Sequence, residues 1–472
     1  MFPSNTEIER EFGVSLIRSE EMEGAVRLWG DISSGSPPWL DPGDDIETVN
    51  MAKHISDTRA KLTALDFGIA VSGPKAVTDG DFGPERAEFL QRIADDLVVS
   101  LPEKIAEANA LGGMVIKWNG TSWDFVMPDS FGITAKDGNG QIIGAIFANS
   151  IIRGKERYTR LEYHRYEGWD ERTNGGVYVV TNRAFRCRLN APRLSGLFGG
   201  RDPEGVLGVR IPLQSVPEWA DLAEEVRITN LKKPLFAYYR VPGKNAVDSS
   251  SPLGISVFAN AITELKAVDI AISRKNSEIE DSKHITFVGQ TLIRNARSRG
   301  IKLPRFVKGL GIGIDDGEVS AINEHVPTLL TDARITDINF DLSLLGVKCG
   351  FSEGEFVLDG RSGMVTATQI ESDDRDTLQT VKVDRDALKA ALKQAIYGAD
   401  ALTTLYGLAP EGEYELNFNF GDLTYSYEKD KQTWFSYVAQ GYVPFWYYLK
   451  KFEGIGEAEA KRLSAEQSPI TG

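Results

Sequence analysis

The chain has 472 residues, 42% of them hydrophobic and 26% charged, which is enough for a sizeable buried core and about three domains of average size. Acidic residues outnumber basic ones by 68 to 53, and the net charge of −15 argues against a protein that wraps nucleic acid tightly, because such a surface must neutralise phosphates. Two cysteines, Cys187 and Cys349, are too few for a disulfide framework, which favours a reducing compartment. The sequence contains no apolar segment typical of a signal peptide and no apolar stretch of about 18 residues, so we expect no transmembrane helix.

The beginning of the chain predicts helices. Residues 1–45 are polar and predict a short helix followed by a proline-rich loop. Residues 46–71 and 83–111 predict longer helices, because their apolar residues recur at intervals of three and four. Gly73 and Pro74 provide a stop signal between these two helices.

Residues 112–239 have a different pattern. Short runs rich in β-branched and aromatic residues, such as MVIKW, IIGAIFAN and YTRLEYHRY, alternate with turn residues and predict antiparallel strands. Asn119-Gly120 and the NGG at residues 174–176 are signals for hairpin turns. Because the strands are grouped together and the helices stand apart from them, we predict the α+β fold class.

The second half of the chain predicts long helices. Residues 254–283 form the first of them, with apolar residues on one side, and residues 328–345 form the second. We expect the apolar side of the first helix to need a partner outside the chain. The segment between the two helices opens with a strand, HITFVG, and later segments predict a helix at residues 366–406, a strand at 414–422 and aromatic or acidic helices near the end.

A basic segment stands out in this acidic chain. No acidic residue occurs between Asp281 and Asp315. Its functional interpretation is contact with DNA or with an acidic partner protein, and the alternative is a solvated loop. Both interpretations stay open for these cations: Lys283, Arg294, Arg297, Arg299, Lys302, Arg305 and Lys308.

One cluster of carboxylates could bind a metal ion. It comprises Glu371, Asp373, Asp374 and Asp376. Such a cluster could hold Mg²⁺ in a metal-dependent nuclease or hydrolase. Acidic residues are also favoured near a helix start, where they interact with the helix dipole and remain solvated, and we favour that interpretation.

Other catalytic motifs are weak or missing. The glycine-rich segment at residues 309–317 is followed by an Asp-Asp-Gly turn rather than a helix, and the sequence has neither a P-loop motif nor a GxSxG motif. Its four histidines, His54, His164, His284 and His325, form no zinc pattern. We therefore predict no catalytic residue, no metal site and no cofactor.

Five sequence blocks resemble portal proteins of tailed bacteriophages. They occur in the family's order, and SPLGIS and TATQI are the most specific parts. The blocks are NMAKHI at 50–55, LGGMVIKW at 111–118, YTRLEYH at 158–164, the segment 233–269 with SPLGISVFANAITELKAVD, and TATQIESDDRDTLQTV at 366–381.

The resemblance implies the portal fold within the α+β class, with subunits arranged in a ring, commonly of twelve. It divides the subunit into a wing, two stem helices, a clip, a tunnel loop and a crown. The implied bounds are residues 1–250 for the wing, 251–283 for the first stem helix, 284–326 for the clip, 327–345 for the second stem helix, 346–365 for the tunnel loop, and 366–472 for the wing-crown helix and crown.

The resemblance also implies a structural function without enzymatic activity. The ring would form a channel at one capsid vertex for DNA packaging, head–tail attachment and DNA ejection, in the virion and, during assembly, in the host cytoplasm. Its partners would be other copies of the chain, the packaging ATPase (large terminase), a head–tail adaptor, major capsid and scaffold proteins, and double-stranded DNA bound without sequence specificity, with no membrane involved.

Two sets of residues follow from this resemblance. In the tunnel loop, Lys348, Arg361 and Ser362 would face DNA. In the clip, partner proteins would dock on Arg294, Arg297, Arg299, Lys302, Arg305 and Lys308. The alternatives are the metal-dependent nuclease or hydrolase described above and a different capsid-associated structural protein.

Overall fold

The computed structural model divides into two compact units. The first comprises residues 1–63 and 68–418, and the second comprises residues 64–67 and 419–472. The structure describes residues 2–40, 43, 45–73, 84–170, 175–189, 206–281, 285–289, 294, 298–299, 307–310, 322–325, 330–358, 375–421, 434–438, 443–452 and 461–464.

The N-terminal segment forms two helices rather than one helix and a loop. Helix α1 spans Asn5–Phe12 and helix α2 spans Glu20–Ser33. The side chains of Ser4 and Ser19 cap them by accepting hydrogen bonds from backbone N–H groups in the first turn. The prediction missed α2, although its buried residues Met22, Val26, Trp29 and Ile32 recur at the three- and four-residue spacing of a helix.

Helix α3 (Met51–Thr63) is shorter than predicted. The chain turns after it, where Asp66 has a φ of 47°, and strand β1 (Gly68–Ser72) follows. Ile69 therefore lies on a strand and not on a helix, which makes the prediction wrong for this end of the segment. β1 pairs with β14 (Glu415–Asn419), a strand that the sequence predicted.

Helix α4 (Glu85–Leu111) confirms the helix predicted for residues 83–111 and continues through Pro102. It ends at Gly112, which adopts a left-handed φ of 92° and donates its N–H to the carbonyl of Ala108. A glycine is required here because a Cβ would lie 2.6 Å from the carbonyl oxygen of Gly254.

A six-stranded antiparallel sheet forms the centre of the first unit. Its order is β4-β5-β6-β7-β8, and β9 also pairs with β7. The strands are β4 (Phe131–Lys136), β5 (Ile142–Arg153), β6 (Glu156–Asp170), β7 (Gly175–Arg188), β8 (Val209–Ile211) and β9 (Glu225–Leu231).

Both faces of this sheet are covered. On one face, Ile8 of α1 packs against Ile146, Leu161 and Phe185. On the other face lies a three-stranded sheet of order β10-β2-β3, with β2 at Gly113–Trp118, β3 at Trp123–Val126 and β10 at Phe236–Arg240. The turn at Asn119-Gly120 joins β2 to β3, as the sequence predicted.

A long helix, α7 (Arg375–Tyr406), packs against β10 and β2. Leu388, Leu392 and Ile396 are fully buried, which confirms the helical spacing seen in the sequence. The helix lies so close to the chain at Leu235 that a Cβ on Gly398 would be 2.7 Å from the Leu235 carbonyl oxygen. Strands grouped in the middle of the chain and helices on either side of them confirm the α+β class.

The second unit contains helix α8 (Phe445–Phe452) and helical residues 434–438 and 461–464. Aromatic rings pack between its segments: Trp434 stacks on Tyr447, and Phe435 contacts Tyr448 edge-on. Of the helices that the structure describes in either unit, none is long and apolar enough to span a bilayer.

Candidate functional site: the paired helices and their connections

Two antiparallel helices occupy the region that the sequence assigned to the stem. Helix α5 spans Ile262–Asp281 and helix α6 spans Thr331–Lys348. The predicted start of α5 at residue 254 is wrong, because residues 254–258 are not helical and only a short 3₁₀ turn, Ala259–Ala261, precedes the helix. Gly254 lies against the backbone at Gly112, and this close contact holds the segment against the end of α4.

Charged contacts join the two helices near both ends. Glu278 of α5 accepts hydrogen bonds from the Leu330 backbone N–H at 2.9 Å and from Arg334 Nε at 3.0 Å. At the other end, Lys348 Nζ lies 2.5 Å from Glu264 Oε1. The two helices are thus held in one register over most of their length.

Lys348 is the last residue of α6 and not part of a loop. The sequence ended this helix at residue 345, but the structure continues it by three residues. Because its ammonium group pairs with Glu264, part of the charge of Lys348 is already neutralised within the chain. The other two residues predicted to face DNA, Arg361 and Ser362, lie outside the described residues.

Part of the apolar side of α5 is buried within the chain, where the sequence predicted an external partner, whereas Ile279 near the end of the helix is 46% exposed. Leu265 and Val268 are buried between α5 and the rest of the first unit. Asp269 strengthens this packing, because its carboxylate accepts hydrogen bonds from Trp39 Nε1 and from the Val49 backbone N–H, each at 3.0 Å. The sequence could not reveal these partners, which lie more than 200 positions away.

Helix α6, in contrast, presents apolar side chains to solvent. Phe340, Leu344 and Val347 are 67%, 36% and 52% exposed, and their spacing of four and three residues places them on one side of the helix. We call this set the α6 face. Its opposite side is buried through Ile338, Leu342 and Leu345. An exposed row of large apolar residues on a helix is typical of a contact surface.

Acidic residues accompany the α6 face. Asp337 and Asp341 lie one helical turn apart, so their charges repel. Partial burial raises the pKa of Asp341, and the charges of Asp337 and Glu264 raise it further. This part of the helix therefore carries a negative potential that would repel phosphate groups.

The segment that ends at residue 358 and the helix that begins at residue 375 are fixed to each other by hydrogen bonds. The backbone N–H of Ser352 donates to Thr377 Oγ1 at 2.8 Å, and the backbone N–H of Thr377 donates to Ser352 Oγ at 3.3 Å. Arg59 of α3 donates to the Cys349 carbonyl at 3.2 Å and to both oxygens of Asp384 on α7, at 2.6 and 2.8 Å. The base of the predicted tunnel loop is therefore anchored to two further helices.

The segment between α5 and α6 contains a small sheet. β11 (Ile285–Gly289) pairs in parallel with β12 (Val307–Leu310) and antiparallel with β13 (Ile322–His325). β11 confirms the predicted HITFVG strand. The basic residues are only partly placed: Arg294 and Arg299 are exposed and Lys308 lies on β12, whereas Arg297, Lys302 and Arg305 lie outside the described residues.

Only one residue of the carboxylate cluster is described. Asp376 is an exposed residue in the first turn of α7, while Glu371, Asp373 and Asp374 lie outside the described residues. Within the part of the chain that the structure describes, no three histidine, cysteine, aspartate or glutamate residues are arranged to hold a metal ion.

Sequence analysis missed a buried polar network between the two large sheets. Glu162 on β6 accepts hydrogen bonds from Lys117 Nζ at 2.9 Å, Arg160 Nη2 at 3.0 Å and His164 Nε2 at 2.6 Å. The Tyr178 hydroxyl lies 3.0 Å from His164 Nδ1. The alternation of Arg160, Glu162 and His164 along one strand was the available signal, since such residues share one face of a sheet.

The pKa values in this network are shifted in the direction expected for a structural role. Although burial opposes the shift, the charge of Lys117 and the hydrogen bond from His164 lower the pKa of Glu162 well below its ordinary value. Burial lowers the pKa of His164 and outweighs the attraction of Glu162. The carboxylate therefore stays ionised and the imidazole neutral at pH 7, a combination that fixes the two sheets against each other.

A scan against protein-family models and a search of curated proteins each found no match to this chain.

Proposed function

We propose that this chain is a portal subunit of a tailed bacteriophage and that copies of it form a ring through which double-stranded DNA passes. The observation that carries the proposal is the exposed α6 face on a helix pair whose two ends are joined by charged contacts. The order of the five sequence blocks supports it independently, because they occur in the order found in the portal family.

The α6 face offers a physical reason for assembly. Burying Phe340, Leu344 and Val347 against a neighbouring copy would remove apolar surface from water. Because each side chain is already partly covered, it would contribute a fraction of the about 1.5–3 kcal/mol that complete burial of an exposed side chain is worth. A contact between different surfaces of identical subunits closes into a ring when the rotation between neighbours allows it. In the proposed assembly, each α6 face lies against the next subunit.

The charge of the chain suits a channel that DNA slides through. A ring of subunits with a net charge of −15 each would repel phosphates over much of its surface, and Asp337 and Asp341 add to this on the helix pair. In such a channel, DNA would be guided without being held. The packaging ATPase, and later a head–tail adaptor, would dock on the clip residues between α5 and α6.

The proposal is tested by the assembly state of the purified chain. Light scattering and negative-stain microscopy of the wild type should show annular particles. Phe340→Ser combined with Val347→Ser should raise the concentration needed for assembly by at least about tenfold, because the two lost apolar contacts together are worth more than about 1.4 kcal/mol. The matched control is Val99→Ser on α4, which removes another exposed aliphatic side chain, 83% exposed, away from the helix pair.

Two outcomes separate the parts of this proposal. A wild-type chain that stays a folded monomer at high concentration would overturn the ring and with it the portal function. Rings that form equally well in the wild type, the double variant and the Val99→Ser control would preserve the portal function but would remove the α6 face as the contact between subunits.

A further inference from the structure

Basic side chains gather at one end of the six-stranded sheet. Strands β5 and β6 are joined by a two-residue turn, Gly154-Lys155, in which Gly154 has a left-handed φ of 62°. At this end, Arg188 of β7 lies opposite Glu156, and Arg186 lies opposite Tyr158. We call the following five residues the basic tip: Arg153, Lys155, Arg157, Arg186 and Arg188.

Few carboxylates balance these cations. Glu218 binds Arg153 through the Nη2 group at 2.5 Å, and Glu156 lies 4.0 Å from Arg186 Nε while it also accepts a hydrogen bond from the Tyr158 hydroxyl. In the part of the chain that the structure describes, neither Lys155 nor Arg188 forms an ion pair, and both are exposed. The basic tip therefore has an excess of positive charge in a chain whose net charge is −15.

The arrangement of these cations fits a phosphate backbone. Arg186 and Arg188 alternate along β7, so they lie on one face of the sheet about 6.6 Å apart. Arg153 shares that face because Arg153 and Arg188 both pair with Glu156. Arg157 lies on the other face of the sheet, and Lys155 lies in the turn that joins β5 to β6. Guanidinium groups at this spacing can each bind a phosphodiester with two hydrogen bonds.

An acidic protein surface is a less suitable partner. A protein interface normally has an apolar centre surrounded by polar residues. Three exposed aliphatic residues lie near the basic tip. Ile152 and Val209 lie on opposite faces of the sheet, because Ile152 pairs with Arg157 and Val209 pairs with Arg186, and the carbonyl of Val206 accepts a hydrogen bond from Arg157. The sheet separates Val209 from Ile152, so these aliphatic side chains do not form one apolar centre for a protein partner, whereas the five cations gather at the same end of the sheet.

We propose that the basic tip binds the backbone of duplex DNA without sequence preference. The contact is separate from the channel and does not depend on ring closure. It consists of ionic and hydrogen-bonding contacts between phosphates and the five cations, with release of the counterions condensed on the DNA. Lys155 and Arg188, which have no carboxylate partner among the described residues, make the largest contribution.

Binding to a labelled short duplex, measured by fluorescence anisotropy over a series of salt concentrations, tests this proposal. Lys155→Glu combined with Arg188→Glu should weaken binding at least about tenfold and lower the slope of log affinity against log salt by about 2. Neither substitution breaks an ion pair among the described residues, so the fold should be retained. The matched control, Lys61→Glu with Lys244→Glu, makes the same change in charge at two other exposed positions and should keep the wild-type slope.

Two further measurements make the result decisive. Arg294→Glu with Arg299→Glu tests whether the basic segment between α5 and α6 binds the duplex instead, and a loss confined to that variant overturns the proposal. Unlabelled poly-glutamate should displace the labelled duplex far less effectively than unlabelled duplex does, and equal displacement would assign the basic tip to an acidic protein. Light scattering on the same samples records assembly, so a failure of ring formation is distinguished from a failure of this contact.

Discussion

Single buried charges connect segments that are distant in the sequence. Arg59 and Asp384 are 325 positions apart, yet they form a two-pronged ion pair that is almost completely buried. Arg86, which is also buried, pairs with the partly exposed carboxylate of Asp400, between α4 and α7. A buried charge is tolerated only when a partner is present, so these pairs define where the helices must lie. No local pattern in the sequence identifies either pair.

The Glu162–His164 network predicts a loss of stability in acid. In the folded chain the pKa of His164 is below its ordinary value of 6.5, so on acidification the unfolded chain binds a proton before the folded chain does. The free energy of unfolding should therefore fall as the pH drops below about 6.5. Glu162, whose pKa is also lowered, should extend this loss to pH values below its ordinary value of 4.5.

His164→Gln tests this prediction, because glutamine can still donate to Glu162 and accept from Tyr178 but does not titrate. Thermal unfolding midpoints measured between about pH 7 and about pH 5 should fall less steeply for His164→Gln than for the wild type. His54→Gln is the control, since His54 lies outside the network, against the ring of Phe356. Parallel curves for the wild type and His164→Gln would contradict the role of His164.

Individual elements follow local rules except where a close contact intervenes. Helix α4 and strands β2, β3, β5, β6 and β7 occur where periodicity and turn residues predicted them. The start of α5 and the end of α3 do not. In the first case the backbones at Gly112 and Gly254 meet, and in the second the chain turns at Asp66 to pair β1 with β14.

The contact between Gly112 and Gly254 predicts a large effect of a single methyl group. Gly112→Ala should lower the free energy of unfolding by about 3 kcal/mol, because it combines a left-handed φ with a steric conflict against the Gly254 backbone. Gly13→Ala is the matched control: Gly13 also ends a helix with a left-handed φ of 66°, but its Cβ would meet nothing within 4 Å. Its cost should be about 1 kcal/mol. Equal shifts in urea-induced unfolding would show that the close contact is unimportant.

At the scale of the whole molecule, the helix pair of α5 and α6 connects the parts of the chain that the proposed ring would use. Its two helices are held together by Glu278 and Glu264, and the segments at its ends lead to the small sheet and to the anchored base at Ser352 and Thr377. The contacts at this base do not involve residues 359–374, so these residues can be shortened while the contacts are kept. This property makes the proposed tunnel loop accessible to experiment.

Deletion of residues 362–368 should abolish DNA packaging while annular particles remain visible by negative-stain microscopy. The reason is that the deleted residues lie between the flanks at 358 and 375, whereas the contacts that anchor those flanks are retained. Deleting seven residues from 194–200, between β7 and β8, provides a control of equal length. Packaging that survives the first deletion would show that this segment is not a tunnel loop.

Much of the fold could be predicted from the sequence, but little of the candidate site. The α+β class, most strands and most long helices follow from residue spacing. The α6 face could not be predicted in this way, because Phe340, Leu344 and Val347 have the spacing of core residues and only the positions of the neighbouring segments show that they are exposed. The residues predicted to contact DNA or partner proteins remain predictions, although Lys348 was assigned to a loop and belongs to a helix.

The sequence by itself determined the strands with their alternating pattern and the helices with strong periodicity, because these depend on residues that are close together in the chain. It also determined the acidic charge, which is the sum of the charged side chains. Only the tertiary structure decided that Leu265 and Val268 of α5 are covered within the chain while the α6 face is not, that Arg59 meets Asp384, and that five cations converge at the end of one sheet. These features depend on which distant segments pack together, and that is set by the path of the whole chain rather than by any local pattern.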